Sequence, residues 1–360
     1  MTNIWSPIEV GNMGLPNCMA MAPMTRSRAH PDGTPSELAI DYYVQRAGLG
    51  LLITEGTQPS EDGQGYLNTP GIHTAAHVEA WREIGAAVHE AGGHLFIQLM
   101  HVGRMSHPAN TPHGRQPVAP SAVAPGVNMF TAHGLVPIPE PRAMTRQDIA
   151  MTVRDFAAAA RRAIEAGADG VEIHGANGYL LQQFMAPNAN LRDDEYGGAI
   201  ENRIRFTLEV TRAVVGAIGA ERTAIRLSPG GSLGGLDEGP EGPELYRRLV
   251  TELDSLGLAY LHLVQTGDET LLADLRRAWR GVLMVNRAGL GRERIGQDVA
   301  AGLADMESYG QMVLANPDFV ERIRSKAPLN VADKAKFYGG GAEGYTDYPT
   351  LAPVEATLVS

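Results

Sequence analysis

The stretch Asp169-Gly-Val-Glu-Ile-His-Gly-Ala-Asn-Gly-Tyr-Leu-Leu-Gln-Gln-Phe-Met185 shows how this chain is organised. It begins as a short apolar run, which is typical of a strand buried in a parallel sheet. The run ends in a glycine-rich loop that contains His174, Asn177 and Tyr179. α/β proteins often place functional groups where a buried strand opens into such a loop. An imidazole and an amide donate hydrogen bonds and a phenol donates a proton, so these residues suit a carbonyl that gains negative charge.

The same alternation of a short apolar run and an amphipathic helix occurs eight times along the chain. The predicted strands are 18–22, 49–54, 94–100, 171–173, 223–227, 259–264, 281–285 and 306–309. The predicted helices are 36–47, 77–90, 145–167, 200–218, 244–256, 269–279, 292–301 and one that begins near 316. Eight such units without an antiparallel run predict a closed (β/α)8 TIM barrel. An open doubly wound sheet is the alternative, but the Gly-x-Gly-x-x-Gly fingerprint that would support it is missing.

Two segments interrupt this rhythm, and both are expected to belong to one domain that spans residues 1–360. Residues 102–144, after the third strand, are rich in proline and contain no long periodic run. A connection of that length usually serves as a lid or an inserted hairpin over a site. Residues 336–360 are rich in glycine and proline and are predicted to form a C-terminal loop or tail.

The composition indicates a soluble, cytoplasmic protein that acts on a small molecule. The net charge of −11 argues against nucleic acid or an anionic membrane as a partner. The single cysteine, Cys18, fits a reducing compartment. The N-terminus lacks the features of a signal peptide, and no apolar run reaches the roughly 20 residues that span a bilayer. A monomer and a small homo-oligomer are both compatible with the sequence.

The predicted carboxyl ends of the strands are polar but contain few carboxylates. Glu55 has no evident partner for glycoside cleavage, and no metal-ligand spacing occurs, so no metal is expected. A bound organic cofactor is therefore the better explanation of this polar edge. Gln98 and Arg226 lie within apolar strands and together could hold a planar heterocycle, with the arginine stabilising negative charge on it. Alternatively, each is a core residue bonded to the backbone or to a neighbouring acid.

Several ordered motifs resemble the old yellow enzyme family of flavin-dependent ene-reductases, over about residues 3–350. They are Ala22-Pro-Met-Thr-Arg-Ser-Arg28, Gln98-Leu-Met-His-x-Gly-Arg104, Val171-Glu-Ile-His-Gly-Ala-Asn-Gly-Tyr-Leu-Leu-Gln-Gln-Phe184, Arg192-x-Asp-x-Tyr-Gly-Gly-x-x-Glu-Asn-Arg203, Ile225-Arg-Leu-Ser-Pro229 and Ala315-Asn-Pro-Asp318. The resemblance implies an FMN-bearing barrel that takes hydride from NAD(P)H and delivers it to an activated alkene, an α,β-unsaturated carbonyl or nitro compound.

The resemblance also implies a role for individual residues. His174 and Asn177 would bind the carbonyl or nitro oxygen of the alkene, and Tyr179 would protonate the α-carbon. The residues expected at the isoalloxazine ring are Pro23, Met24, Thr25, Gly56, Gln98 and Arg226. Met100 stands where relatives often carry an aromatic residue, so it is expected in the substrate pocket. Tyr66 and Tyr345 are expected to line the mouth of the pocket, with a packing role as the alternative.

The expected phosphate end of the cofactor site departs from the family. The family usually has a small glycine-rich turn after the seventh strand and Gly-Arg after the eighth. This chain has Val285-Asn286-Arg287-Ala288-Gly289 and Gly310-Gln311 instead. In one explanation Arg287 replaces the missing cation and FMN binds with Arg287, Gly310 and Gln311 at its phosphate. In the other, the pocket accepts a deazaflavin or binds FMN weakly; FMN is favoured.

Two rival functions remain open at this point. The first is a hydrolase or isomerase that uses His174 and Tyr179 without a flavin. The second is a non-catalytic barrel that binds a ligand, which the altered phosphate end makes conceivable.

Overall fold

Eight strands close into a barrel in the computed structural model, which describes residues 3–265 and 267–351. They are β1 (Met19–Met21), β2 (Leu51–Ile53), β3 (Leu95–Leu99), β4 (Gly170–Gly175), β5 (Thr223–Leu227), β6 (Tyr260–Val264), β7 (Leu283–Asn286) and β8 (Met306–Tyr309). Each pairs in parallel with its neighbours, and β8 pairs with β1. The predicted (β/α)8 barrel is thus confirmed, and the open sheet is excluded.

The helices follow the strands as predicted, with shifts at their ends. They are α1 (Leu38–Val44), α2 (Ala75–Glu90), α3 (Arg146–Glu165), α4 (Leu180–Met185), α5 (Ile200–Arg203), α6 (Arg205–Ile218), α7 (Gly242–Asp254), α8 (Glu269–Ala278), α9 (Gln297–Ala300), α10 (Gln311–Ala315) and α11 (Phe319–Ser325). The helix start at Thr145 is a capping box, in which Thr145 and Asp148 satisfy each other's backbone N–H groups. None of the helices in the described part of the chain is long and apolar enough to cross a membrane.

The sequence prediction was wrong about several short helices. The predicted helix 200–218 breaks at Ile204 into α5 and α6, and 292–301 shrinks to a turn at Arg292–Arg294 followed by α9. The helix α4 was not predicted. All six of its residues, Gln182 and Gln183 included, are buried, so it has no exposed face against which a helical period could show.

The inserted segment 102–144 contains the predicted hairpin. Its strands, Asn128–Thr131 and Gly134–Pro137, pair antiparallel, and Val118–Ala119 pairs in parallel with Arg142–Ala143. A second hairpin, Ile8–Val10 with Met13–Leu15, precedes β1. Action of the insertion as a lid stays a prediction.

Two buried arginines hold the C-terminal segment against the loop that follows β1. Arg26 donates from Nε to the Phe337 carbonyl at 3.0 Å and from Nη2 to the Gly344 carbonyl at 2.6 Å. Arg28 donates from Nε to the Gly341 carbonyl at 2.9 Å. These bonds bring the tail to the carboxyl ends of the strands, where the cavity opens. The last part of the predicted tail, 352–360, lies outside the described residues.

Candidate active site

A cavity of about 220 Å³ opens at the carboxyl ends of the barrel strands. It brings together eleven of the residues expected in the site: Pro23, Met24, Thr25, Gly56, Gln98, Met100, His174, Asn177, Tyr179, Arg226 and Gln311. Three further lining residues, Leu314, Phe337 and Tyr338, were not predicted. The two aromatic residues come from the tail, whose position depends on the contacts of Arg26 and Arg28. The sequence signal for them was that Phe337 and Tyr338 stand next to each other directly before three glycines.

His174 presents a neutral imidazole to this cavity. Its Nδ1 accepts a hydrogen bond from the Ala176 backbone N–H at 3.2 Å, so the proton resides on Nε2. Burial, with additional repulsion from Arg226 and His262, lowers the pKa of His174 well below its ordinary value. The side chain is therefore a hydrogen-bond donor that carries no charge at neutral pH.

Asn177 owes its position to an unusual backbone conformation. Its φ of 56° lies in the left-handed region, which asparagine tolerates better than most residues. The Asn177 backbone N–H donates to Ser228 Oγ at 2.9 Å, and Ser228 follows directly after β5. The loop after β4 is thereby fixed to the end of the neighbouring strand, with the Asn177 amide at the cavity.

Tyr179 is a protonated phenol that contacts both His174 and Tyr66. Its ring meets the His174 ring edge to face, with centroids 4.9 Å apart. Its hydroxyl lies 3.1 Å from the hydroxyl of Tyr66. Burial, followed by the effect of Tyr66, raises the pKa of Tyr179 well above its ordinary value. The phenol therefore keeps its proton until a reacting group takes it.

A second cavity of about 450 Å³ shares Thr25, Tyr179 and Tyr338 with the first. It is lined by Thr25, Ser27, Tyr66, Leu67, Asn68, Met105, Asn128, Met129, Phe130, Tyr179, Tyr338 and Gly339. None of these side chains is charged. The structure thus places Tyr66 in the second cavity, next to the hairpin of the inserted segment, and its expected role at the mouth of the substrate pocket stays a prediction.

Beneath the first cavity lies a chain of buried polar side chains that the sequence reading missed. Gln98 Nε2 donates to Glu172 Oε1 at 2.8 Å, and Glu172 Oε2 lies 2.8 Å from His262 Nδ1. His262 Nε2 in turn lies 2.8 Å from Ser308 Oγ. Because the Gln98 amide group is bound to Glu172, its Oε1 is left for the cavity. The sequence signal for this chain was the presence of Glu172 and His262 within apolar strands, because buried polar groups need hydrogen-bond partners.

Burial, the largest single cause, raises the pKa of the Glu172 carboxyl. The attraction and hydrogen bond of His262, the attraction of Arg226 and the hydrogen bond of Gln98 together outweigh it, so the net effect is a lowered pKa. Glu172 is therefore an anion inside the barrel, close to the floor of the cavity.

Arg226 is the charged side chain among the residues that line the first cavity. It is 5% exposed, its Nη2 lies 3.4 Å from Asn286 Oδ1, and its buried Nε has no hydrogen-bond partner among the described residues. An unpaired buried donor of this kind is costly unless a bound molecule satisfies it. A planar heterocycle with acceptor atoms on one edge fits this requirement.

Two expected site residues lie elsewhere in the structure. Tyr345 is 1% exposed and stacks on Tyr42 with ring centroids 4.2 Å apart, beneath the Arg28 guanidinium at 4.6 Å. It is thus a packing residue and does not line either cavity. Arg287 also lies outside both cavities, because its guanidinium binds Glu269 and Asp298. Gly310 lies beside the first cavity, where a Cβ would meet Met24 Sδ at 3.4 Å.

Comparison with known proteins identifies the family. The family described as NADH:flavin oxidoreductase / NADH oxidase matches residues 3–330. This chain belongs to the old yellow enzyme family. It is 42% identical over 356 residues to a probable flavin mononucleotide-dependent alkene reductase of Leishmania infantum, with 96% of each chain covered. It is 40% identical over 360 residues to 12-oxophytodienoate reductase 2 of Arabidopsis thaliana, covering 96% of this chain and 95% of that protein.

Solved structures of old yellow enzymes have the same fold. A structure of morphinone reductase in complex with tetrahydroNAD superposes with a TM-score of 0.94 at 42% identity, covering 99% of this chain and 100% of that one. The old yellow enzyme homologue from Zymomonas mobilis gives a TM-score of 0.92 at 39% identity, covering 97% and 99%. The predicted family, the enzyme class and the cofactors, FMN with NAD(P)H as reductant, are thereby confirmed.

The residues present fit the ring of FMN better than its phosphate. At the ring end, the unpaired Arg226 Nε and the free Gln98 Oε1 are a donor and an acceptor for the polar edge of an isoalloxazine. At the other end, Gln311 is uncharged and Arg287 is already paired. Among the described residues, no group of three or more His, Cys, Asp or Glu side chains is placed to hold a metal ion.

Proposed function

We propose that this old yellow enzyme is an ene-reductase that reduces activated alkenes with hydride derived from NAD(P)H. The observation that carries the proposal is the meeting of three groups in one cavity: the Nε2–H of His174, the amide of Asn177 and the protonated phenol of Tyr179. The names of the alkene reductase and the 12-oxophytodienoate reductase among its relatives support it. The bound flavin supplies hydride transfer from the nicotinamide to the alkene.

The chain's own residues polarise the alkene. His174 and Asn177 donate hydrogen bonds to the carbonyl or nitro oxygen, which draws electron density away from the β-carbon. Negative charge grows on that oxygen in the transition state, and preorganised donors stabilise it in a site shielded from water. A neutral imidazole suits this role, because it can donate without first having to be protonated.

Tyr179 completes the reaction as the general acid. Its hydroxyl proton passes to the α-carbon of the alkene, and the electron pair that held the proton stays on the phenol oxygen. The Tyr66 hydroxyl, 3.1 Å away, can then donate a hydrogen bond to that oxygen. Tyr66 is therefore a positioning residue for the proton donor.

The second cavity supports a substrate with an uncharged, largely apolar body. It contains Met105, Met129 and Phe130 and no charged side chain. A carboxylate buried there would lose its hydration without gaining a partner. We therefore propose neutral enones with bulky apolar substituents as the substrate class, with the carbonyl at His174 and the body towards the hairpin.

The test is anaerobic reduction of the purified flavoprotein with NADPH or NADH, followed by an alkene. We expect 2-cyclohexenone and a bulky neutral enone to reoxidise the flavin, and the carboxylated analogue of the bulky enone to react more slowly than its methyl ester. His174→Ala should slow reoxidation by about 10²-fold or more, since it removes one donor from the developing charge. The exposed loop residue His133 provides the matched control His133→Ala. A reduced flavin that no alkene reoxidises would refute the proposal and favour a non-catalytic barrel.

The pH dependence of the alkene half-reaction provides an independent prediction. The lowered pKa of His174 keeps its imidazole neutral, and the raised pKa of Tyr179 keeps its phenol protonated. Neither group titrates near its ordinary value, so the rate constant for reoxidation by 2-cyclohexenone should stay flat from about pH 5.5 to 9.5. Stopped-flow measurements across this range check it. A sigmoidal change centred near pH 6.5 would show that His174 titrates and would contradict the assignment.

A further inference from the structure

We propose that this chain binds its flavin through the ring and does not recognise the terminal phosphate, so that it binds riboflavin about as tightly as FMN. The inference concerns cofactor selectivity. It does not depend on alkene reduction, and it can be tested without any substrate.

None of the described residues that line the end of the first cavity nearest β8 is a cation. In (β/α)8 barrels the loops after the seventh and eighth strands commonly hold a phosphate. Here that end is lined by Met24, Gln311 and Leu314, all of which are uncharged. A side-chain amide such as that of Gln311 can donate a hydrogen bond to a phosphate oxygen, but it brings no positive charge to neutralise the phosphate.

Arg287, the nearest candidate for a replacement cation, is fully engaged with carboxylates. Its Nη1 and Nη2 donate to Glu269 at 2.6 and 2.9 Å, and its Nε and Nη2 donate to Asp298 at 2.6 and 3.0 Å. These hydrogen bonds, with that of Glu269 the largest, raise the pKa of Arg287 above its ordinary value. Binding a phosphate would require this double bidentate arrangement to be broken.

Backbone donors at the start of α9 are occupied by a carboxylate of the protein itself. Glu307 accepts hydrogen bonds from the N–H groups of Gly296, Asp298 and Val299 at 2.8, 2.9 and 3.2 Å, and from the Tyr309 hydroxyl at 2.7 Å. The sequence showed Glu307 as an odd charge in an apolar strand. The structure shows that this charge satisfies the donors at the start of α9, which are therefore closed to an external anion.

The space left between these charged groups is too small for a phosphate. A cavity of about 20 Å³ is lined by Arg287, Arg294, Asp298 and Glu307, and a volume of that size holds about one water molecule. Arg294 lines this small cavity and not the large one; its buried Nε has no hydrogen-bond partner among the described residues, but the volume beside it does not admit a phosphate. Arg287 also pairs with Glu269, so three carboxylates, those of Glu269, Asp298 and Glu307, lie around the two guanidinium groups. A dianionic phosphate would therefore meet surroundings with an excess of negative charge.

The test is titration of the protein, freed of its flavin, with FMN and with riboflavin, followed by quenching of flavin fluorescence. We expect the two Kd values to agree within about tenfold, and the Kd for FMN to change little with added salt, because no exposed cation is involved. Gln311→Arg should tighten FMN binding by about 10- to 100-fold and leave riboflavin unchanged, since it adds one charge-assisted contact to the phosphate. Gln98→Ala should weaken both flavins equally.

A parent protein that binds FMN more than about 100-fold tighter than riboflavin would overturn the proposal. The proposal would also be overturned if Arg294→Gln or Arg287→Gln bound FMN more weakly than the parent protein while binding riboflavin equally well. The substituted arginine would then be the cation that recognises the phosphate. If the protein bound neither flavin, both this proposal and the assignment of Gln98 and Arg226 to the flavin ring would be refuted. A ratio near one in a protein that reduces no alkene would support it while refuting the proposed ene-reductase activity.

Discussion

Tyr179→Phe is expected to slow reoxidation of the reduced flavin by an alkene by about 10²- to 10⁴-fold, the range typical of losing a general acid. The phenylalanine ring can retain the edge-to-face contact with His174, so the shape of the cavity should be preserved. What disappears is the Tyr179 hydroxyl, which lies 3.1 Å from the Tyr66 hydroxyl. Reduction of the flavin by NADPH or NADH needs no proton from this residue and should keep the parent's rate constant.

Stopped-flow absorbance separates the two half-reactions. Tyr196→Phe is a matched control, because its hydroxyl binds Glu209 at 3.0 Å and lines neither cavity. It should leave both half-reactions unchanged. If Tyr179→Phe reoxidised with an alkene as fast as the parent, the proton would have to come from solvent or another residue. A loss confined to flavin reduction would equally contradict the assignment.

Glu172→Ala is expected to destabilise the protein by about 2–6 kcal/mol, because it leaves two buried hydrogen-bonding groups without their acceptor. The carboxylate is completely buried and accepts from both Gln98 and His262. Without it, the Gln98 amide group and His262 Nδ1 lose their partner in a place that water does not reach. The free energy of unfolding from urea titration of the flavin-free protein measures the loss.

Glu79→Ala is the matched control for this variant. Glu79 lies on α2, its side chain is 64% exposed, and it pairs with Arg82 one turn away. An exposed pair of this kind contributes little, so the control should remain within about 0.5 kcal/mol of the parent. A loss of less than about 1 kcal/mol in Glu172→Ala would show that the pair is not needed for stability.

The positions of the proposed catalytic groups could be predicted because they depend on local sequence. His174 lies within β4, near its carboxyl end, where the sequence predicted a loop, and Asn177 and Tyr179 follow the strand, so a barrel built from this chain places all three at the carboxyl edge. The resemblance to the family then supplied roles for the same residues. The short helices α4 and α10 escaped prediction because neither is long enough to show a clear helical period.

Residues whose role depends on distant partners were predicted less well. Tyr345 was expected at the mouth, but Tyr42 and the two arginines of the Ala22–Arg28 motif enclose it. Arg287 was expected at a phosphate, but Glu269 and Asp298 reach it first. In both cases a polar or aromatic side chain at the right edge of the barrel had a nearer partner that the sequence does not reveal.

The sequence alone determined the alternation of strands and helices, and with it the barrel, the cavity edge and the residue types that face the alkene. These properties follow from periodicity and from the residues next to each strand end, which act over a few positions of the chain. Only the tertiary structure decided which buried polar and charged groups pair, as in Glu172 with His262 and Arg287 with Asp298. Such pairing depends on distance in space and on burial, and residues 90 positions apart can become direct partners.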